Sequence, residues 1–262
     1  REEHFILEEI ENLAKDGCKE VILLGQNVNS YGKGLKEPCN FAKLLRDAEQ
    51  IEGIERIRFM TSHPKDLTDD VIAAVKNSDA ICHSVHLPVQ SGSSRILKMM
   101  NRRYDKETYL ALVEKLRREI PDITITTDII VGFPTETEED FQETLEVIEK
   151  CRFDSAFTFI YSPRRGTKAA EMEEVSKEAV KDRFERLLDL QYRIMHENSL
   201  IYQDSVQEVI AEGVSRTNED MMSGRTKTNK LVNFKGNCAV GDTVNVKITQ
   251  TATFHLTGEL II

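Results

Sequence analysis

Apolar, β-branched-rich runs recur along the chain at 21–26, 54–62, 82–90, 123–132 and 155–162, each closing in polar or turn residues. Runs of this length and composition read as buried strands. Between them lie segments of helical period at 69–75, 106–118 and 137–150. In the second of these, Tyr109, Leu112, Val113 and Leu116 recur at the spacing that puts them on one helix face. Strands alternating with helices predict right-handed βαβ units and a parallel sheet. A leading helix at 5–14 precedes the first strand, so another strand is expected upstream of it.

An amphipathic stretch at 177–198 carries Val180, Phe184, Leu187, Leu188, Ile194 and Met195 on one stripe and reads as a connecting helix. Beyond it the period changes to two. Val244, Val246 and Ile248 alternate with Thr243, Asn245, Lys247 and Thr249; Phe254, Leu256, Leu260 and Ile262 alternate with His255, Thr257 and Glu259. With 206–211 and the runs around Asn229, this gives four or five short strands, which pack as a small β-barrel. The expected domains are therefore 1–198, an α/β domain with its linking helix, and 199–262, the β-barrel.

Of the 262 residues 40% are hydrophobic and 31% charged, and no apolar run is long enough to span a bilayer, so a cytoplasmic protein without membrane contact is expected. The net charge of -10 argues against non-specific attachment to nucleic acid over the whole surface. Cys18, Cys39, Cys82, Cys151 and Cys238 show no CxxC or CxxxC spacing, so neither a zinc site nor a disulfide framework follows from them. The opening Arg1-Glu2-Glu3-His4-Phe5 has neither initiator Met nor signal-peptide pattern, and sequence upstream is expected.

Parallel α/β folds bind ligands beyond the carboxyl ends of their strands, where helix N-termini turn free N–H groups inward. Those ends are Gly25 to Asn29, Thr61 to Pro64, Pro88 to Gly92, Asp128 to Pro134 and Tyr161 to Thr167. Polar residues also run along one strand face, Ser84, His86 and Gln90 on one strand and Thr124, Thr126 and Asp128 on the next, which suits a wet interior holding a polar ligand. His63 and His86 lack ligand-like spacing, so shaping the structure or a substrate is the favoured role over metal ligation. Thr135 and Glu138 fit a capping box ahead of a helix, and Ser91-Gly92-Ser93-Ser94 fits an N-cap before 96–100. Gly132 marks a close backbone approach or a positive φ. Arg102, Arg103, Arg164 and Arg165 sit where phosphate contact is feasible, and Arg216, Arg225, Lys227, Lys230 and Lys235 cluster around one hairpin of the small barrel.

Taken together, Gly25-Gln26-Asn27-Val28-Asn29-Ser30-Tyr31, Ser62-His63-Pro64, Leu87-Pro88-Val89-Gln90-Ser91-Gly92-Ser93, Asp128-Ile129-Ile130-Val131-Gly132-Phe133-Pro134 and Tyr161-Ser162-Pro163-Arg164-Arg165-Gly166-Thr167 resemble the radical S-adenosylmethionine methylthiotransferases. The resemblance covers nearly the whole chain, and residues from about 200 onward resemble the TRAM module. It implies a partial (β/α)6 TIM-like barrel lacking its first strand, followed by an OB-like β-barrel that binds RNA. Gln26, Asn27, Ser62, Gln90, Ser91, Asp128, Gly132 and Pro134 would face S-adenosylmethionine; Arg102, Arg103, Arg164, Arg165, Arg225, Lys227 and Lys230 would face tRNA.

The implied reaction is 2-methylthiolation of N6-isopentenyladenosine beside the anticodon, by sulfur insertion and methyl transfer. It would use two 4Fe-4S clusters and a reductant such as flavodoxin or ferredoxin, in a monomeric enzyme acting on the anticodon stem-loop. The CxxxCxxC loop of that family is not in this sequence, so the chain alone is expected to hold no cluster and to be inactive. Competing readings are the branch acting on threonylcarbamoyladenosine, the sibling acting on a ribosomal-protein aspartate, and a non-catalytic RNA-binding scaffold.

Overall fold

The computed structural model describes residues 1–36, 38–60 and 62–261. Thr61 and Ile262, which fall in predicted strands, lie outside the described residues. Contacts group 1–85, 122–124 and 199–262 in one unit, and 86–121 and 125–198 in a second.

The first unit opens with α1 (Glu3–Lys15), β1 (Glu20–Leu23), α2 (Phe41–Glu49), β2 (Arg56–Phe59) and α3 (Asp69–Lys76). Strands β1 and β2 pair in parallel, Val21 opposite Ile57. Helix α2 was not foreseen, although its signals are ordinary. Asn40 caps it by accepting from Lys43 N–H at 2.8 Å, and Phe41, Leu44, Leu45 and Ala48 recur at helical spacing on its buried face. β1 is shorter than the 21–26 run, and Ile22 and Leu24 are exposed, because β1 is an edge strand with β2 as its only partner among the described residues.

The same unit contains a closed five-stranded barrel of β6 (Val206–Val214), β7 (Met222–Thr226), β8 (Leu231–Lys235), β9 (Thr243–Thr251) and β10 (Leu256–Leu260), in the order β10-β8-β7-β6-β9. Val209, Val232, Phe234, Val246, Ile248 and Leu256 fill it, as the alternation predicts. Phe254 is exposed, because the chain turns between β9 and β10 before strand pairing resumes at Leu256.

Two buried arginines of β2 seat this barrel. Arg56, 1% exposed, donates to the carbonyls of Arg225 (2.6 Å) and Glu208 (3.0 Å) and to Glu208 Oε1 (3.0 Å). Arg58 donates to Thr226 O (2.8 Å) and pairs with Glu20 at 2.9 Å. Thr124 is 4% exposed and donates to Thr228 O at 2.8 Å. It therefore pins the β7–β8 hairpin and does not line a wet interior.

The second unit holds β3 (Ser84–His86, which begins in the first unit), α4 (Ser94–Met99), α5 (Lys106–Glu119), β4 (Thr124–Val131), α6 (Glu138–Cys151), β5 (Ser155–Ile160) and α7 (Lys177–Ser199). Its sheet order is β3-β4-β5, with β4 and β5 parallel. Leu87, Ile125, Ile129, Tyr109, Phe141 and Phe153 are buried. The predicted burial of the last strand does not hold: Phe157, Phe159 and Ile160 are about half exposed, since β5 is the sheet edge.

Candidate functional site

Where β1 and β2 end, the two loops are tied to each other. Asn29 donates from Nδ2 to His63 O (3.2 Å) and accepts from His63 N–H (3.0 Å). Asn27 donates to Asp66 Oδ2 at 2.7 Å, and Lys33 pairs with Asp66 Oδ1 at 2.9 Å. That orientation leaves Asn27 Oδ1 buried without a partner, and the Ser62 hydroxyl, 1% exposed, is in the same condition. Buried polar atoms left unpaired in a loop otherwise closed by hydrogen bonds mark a place where a polar ligand completes the set. Gln26 is exposed beside them. Asp66 was not singled out from sequence; the Asn27 contact spans 39 positions and leaves no local signal. A cavity of about 510 Å³ in this unit runs along β1, lined by Ile6, Ile10, Leu24, Gly25, Asn27 and Tyr31 among others.

In the second unit the ends of β3 and β4 carry the other candidates. Gln90 has φ 70 and bridges β4 through its backbone, its N–H donating to Asp128 O (2.8 Å) and its carbonyl accepting from Ile130 N–H (2.9 Å). His86 lies between two residues of β4, with Nδ1 2.9 Å from Thr126 Oγ1 and Nε2 3.4 Å from Asp128 Oδ1. Of the polar face read from the sequence, His86, Thr126 and Asp128 are thus connected, and His86 shapes this part of it. Ser91 is fully buried, its amide neighbour Gly92 donating to Thr144 Oγ1 at 2.9 Å and its own hydroxyl accepting from Ser93 N–H. Ser91 therefore packs the loop against α6. A Cβ on Gly92 would lie 2.4 Å from Glu143 O, so this loop tolerates only glycine there.

Gly132 has φ 75, and a Cβ there would lie 2.6 Å from Val180 Cγ2, so both readings of this glycine hold. Its N–H donates to Glu136 Oε2 at 3.0 Å, and Arg183 donates to the same oxygen at 3.1 Å. Burial raises the Glu136 carboxyl above the ordinary carboxylate range. This inward turn of Glu136 delays the helix by two residues. The capping box is Thr137 with Asp140, not Thr135 with Glu138, and Thr135 has φ 66. Asp140, although buried, is held well below the ordinary range by Arg95 and Ser93. Arg186, with Gln142 and Arg183, brings Glu138 down to about 2. Ser93 is the N-cap of α4, within the segment expected to supply it. Pro134 is buried next to these residues.

Tyr161 stacks edge-on against Phe133 with ring centres 5.3 Å apart, and its hydroxyl is buried without a partner. Arg103, Arg164 and Arg165 are exposed, while Arg102 is half-buried with an unpaired Nε. In the small barrel, Arg225 pairs with Glu212 at 3.3 Å and Lys230 stands 5.8 Å over the Tyr202 ring. The carbonyls of Arg225, Thr226 and Lys227 accept from the β2 arginines, so Arg225, Lys227 and Lys230 sit on a hairpin docked through its backbone.

These features define a parallel βα scaffold with polar strand ends, joined in one chain to a closed five-stranded barrel. The chain belongs to the Radical SAM superfamily, whose sequence profile matches residues 1–148, and a TRAM domain profile matches 202–261. Among curated proteins it is 57% identical over 99% of its length to the tRNA-2-methylthio-N(6)-dimethylallyladenosine synthase of Clostridium tetani, and 54% identical over 98% to that of Acetivibrio thermocellus. It covers 58% and 54% of those proteins, so it spans little more than half their length. A solved structure of Escherichia coli coproporphyrinogen III oxidase, described as a radical SAM enzyme, is similar at TM-score 0.51 and 17% identity, covering 87% of this chain and 61% of its own. At that identity the likeness is one of fold.

The superfamily implies S-adenosylmethionine and a 4Fe-4S cluster in its members. The cysteines here do not fit a cluster. Among the described residues no three His, Cys, Asp or Glu side chains converge on a metal position. None of the five cysteines lies at CxxC or CxxxC spacing to another, as a cluster-binding loop requires, and burial pushes the Cys39 thiol up to about 11 and the Cys151 thiol up to about 12. Cys82 is buried and raised as well. No described helix is long and apolar enough to cross a membrane.

Proposed function

We propose that this chain is the S-adenosylmethionine- and tRNA-facing part of a methylthiotransferase that converts N6-isopentenyl (dimethylallyl) adenosine beside the anticodon to its 2-methylthio derivative. The observation that carries the reading is the 57% identity, over 99% of the chain, to a relative bearing that name. Residues 1–198 would form the cofactor domain and 199–262 the RNA-binding barrel, in a monomeric cytoplasmic enzyme served by a reductant such as flavodoxin or ferredoxin.

Within the first unit, Asn27 Oδ1 and Ser62 Oγ would meet the polar amino-acid part of S-adenosylmethionine, with Gln26 at its exposed side. Their unpaired oxygens suit a ligand that carries an ammonium group and a carboxylate. Within the second unit, the Gln90 backbone, Asp128 and the Gly132–Pro134 turn would offer polar contacts to a nucleoside. Bound S-adenosylmethionine supplies the methyl group and the radical chemistry; the two clusters of the complete enzyme would be held by residues other than these cysteines. Exposed Arg103, Arg164 and Arg165 would meet phosphates.

Deleting the gene and analysing tRNA nucleosides tests the assignment. The 2-methylthio-N6-isopentenyl nucleoside is expected to vanish while the N6-isopentenyl nucleoside accumulates. Loss of methylthio threonylcarbamoyladenosine instead, or no change in tRNA, would reject it.

A further inference from the structure

One face of the β3–β4–β5 sheet is only partly covered. Side chains alternate along a strand, so Phe157 and Phe159 share a face with their register partners across β4, Asp128 and Ile130. Both rings are about half exposed, at 53% and 51%. Neighbouring exposed rings on a sheet face mark a surface that something apolar covers. The Phe157 ring is fixed from one side, the His86 ring standing edge-on to it at 5.7 Å and 76°. His86 in turn lies between Thr126 and Asp128. The Asp128 carboxylate, 26% exposed, shares this face and is the register partner of Phe157.

Resting on the methylthiotransferase reading above, we propose that Phe157 and Phe159 form the wall that receives the five-carbon N6 substituent of the substrate adenosine, and so select an apolar substituent over an acidic one. The occupant follows from the chemistry of the face. Two phenyl rings suit a branched alkenyl group, and Asp128 is an acceptor for the adenosine N6–H. Neither β4 (TITTDIIV) nor β5 (SAFTFI) carries Lys or Arg. A substituent ending in a carboxylate, such as threonylcarbamoyl, would find no cation along these strands and would meet the Asp128 charge.

The test is fluorescence anisotropy of this chain with three anticodon stem-loop RNAs that differ only at the adenosine following the anticodon: unmodified, N6-isopentenyl and N6-threonylcarbamoyl. The unsubstituted chain is expected to bind the isopentenyl RNA about tenfold more tightly than the unmodified one, the discrimination a small apolar group provides in a partly apolar site. In the Phe157→Ala/Phe159→Ala variant that ratio falls to within about twofold, while Phe159→Leu retains most of it. Phe159→Glu alone, a polar change at a half-exposed position, gives the same loss should the double variant not fold. A preserved tenfold ratio in these variants overturns the wall and leaves the functional reading standing. No preference for the isopentenyl RNA in the unsubstituted chain overturns both.

Discussion

Replacing Arg56 by alanine is the most informative perturbation of the fold. The guanidinium is 1% exposed and gives hydrogen bonds to two main-chain carbonyls, Arg225 O and Glu208 O, at the seam between β2 and the small barrel. Each bond from a charged donor to a carbonyl contributes on the order of 2 kcal/mol. The ion pair to Glu208 adds less than about 1 kcal/mol, because that carboxylate is 57% exposed and screened by water. Arg56→Ala leaves both carbonyls without their donor and opens a cavity, so a loss of about 4 kcal/mol is expected. Arg56→Met, which keeps most of the volume, should still lose about 3 kcal/mol, and Glu208→Ala less than 1. Urea denaturation gives the free energies. Amide hydrogen exchange across 225–230 locates them, with protection of that hairpin falling before that of β4. A loss below about 1 kcal/mol for Arg56→Ala would refute the view that this arginine seats the barrel.

Two further outcomes follow from the second unit. Gly92→Ala should lower the denaturant midpoint by the equivalent of about 1–3 kcal/mol, because its Cβ would press on Glu143 O and Thr144 Cα of α6; an unchanged midpoint would show that the loop relaxes freely. Acid stability draws on Glu138 and Asp140, both held below their ordinary values. Their contribution is full above about 4.5 and is lost as the pH falls through the Glu138 value of about 2. Glu136, raised by burial, works in the opposite sense and favours the fold as it takes up its proton above that window. Circular dichroism from pH 6 to pH 2 should therefore show unfolding mainly below about 4.5, with a shallower limb in Asp140→Asn; an identical limb in that variant would contradict the assignment.

Much of this molecule is legible in its sequence where the signal is local. Apolar runs located β1 to β5, and period-two alternation located the barrel interior, because burial of one face dictates the pattern. Contacts between distant segments were not legible. Arg56 and Arg58 alternate with Ile57 and Phe59 as a solvent-facing pair would, and only the barrel lying against them makes them buried. Asp66 and Asn27 meet across 39 positions. The Thr135 to Asp140 segment offers two Thr caps, and the choice falls to Glu136, which turns inward to Gly132 and Arg183. At the candidate site the motifs picked out loops at the strand ends. They did not distinguish Ser91, which packs, from Asn27 and Ser62, which keep unpaired atoms.

The central claim is that the enzyme to which this chain contributes methylthiolates an isopentenylated adenosine in tRNA. Its most direct test supplies the complete, cluster-bearing enzyme with tRNA from the deletion strain, a reductant and S-adenosylmethionine carrying a deuterated methyl group, and follows the nucleosides by mass spectrometry. The account predicts deuterated 2-methylthio-N6-isopentenyladenosine, formed from the isopentenylated precursor alone. Label appearing only on unprenylated or threonylcarbamoylated adenosine, or on protein, would contradict it.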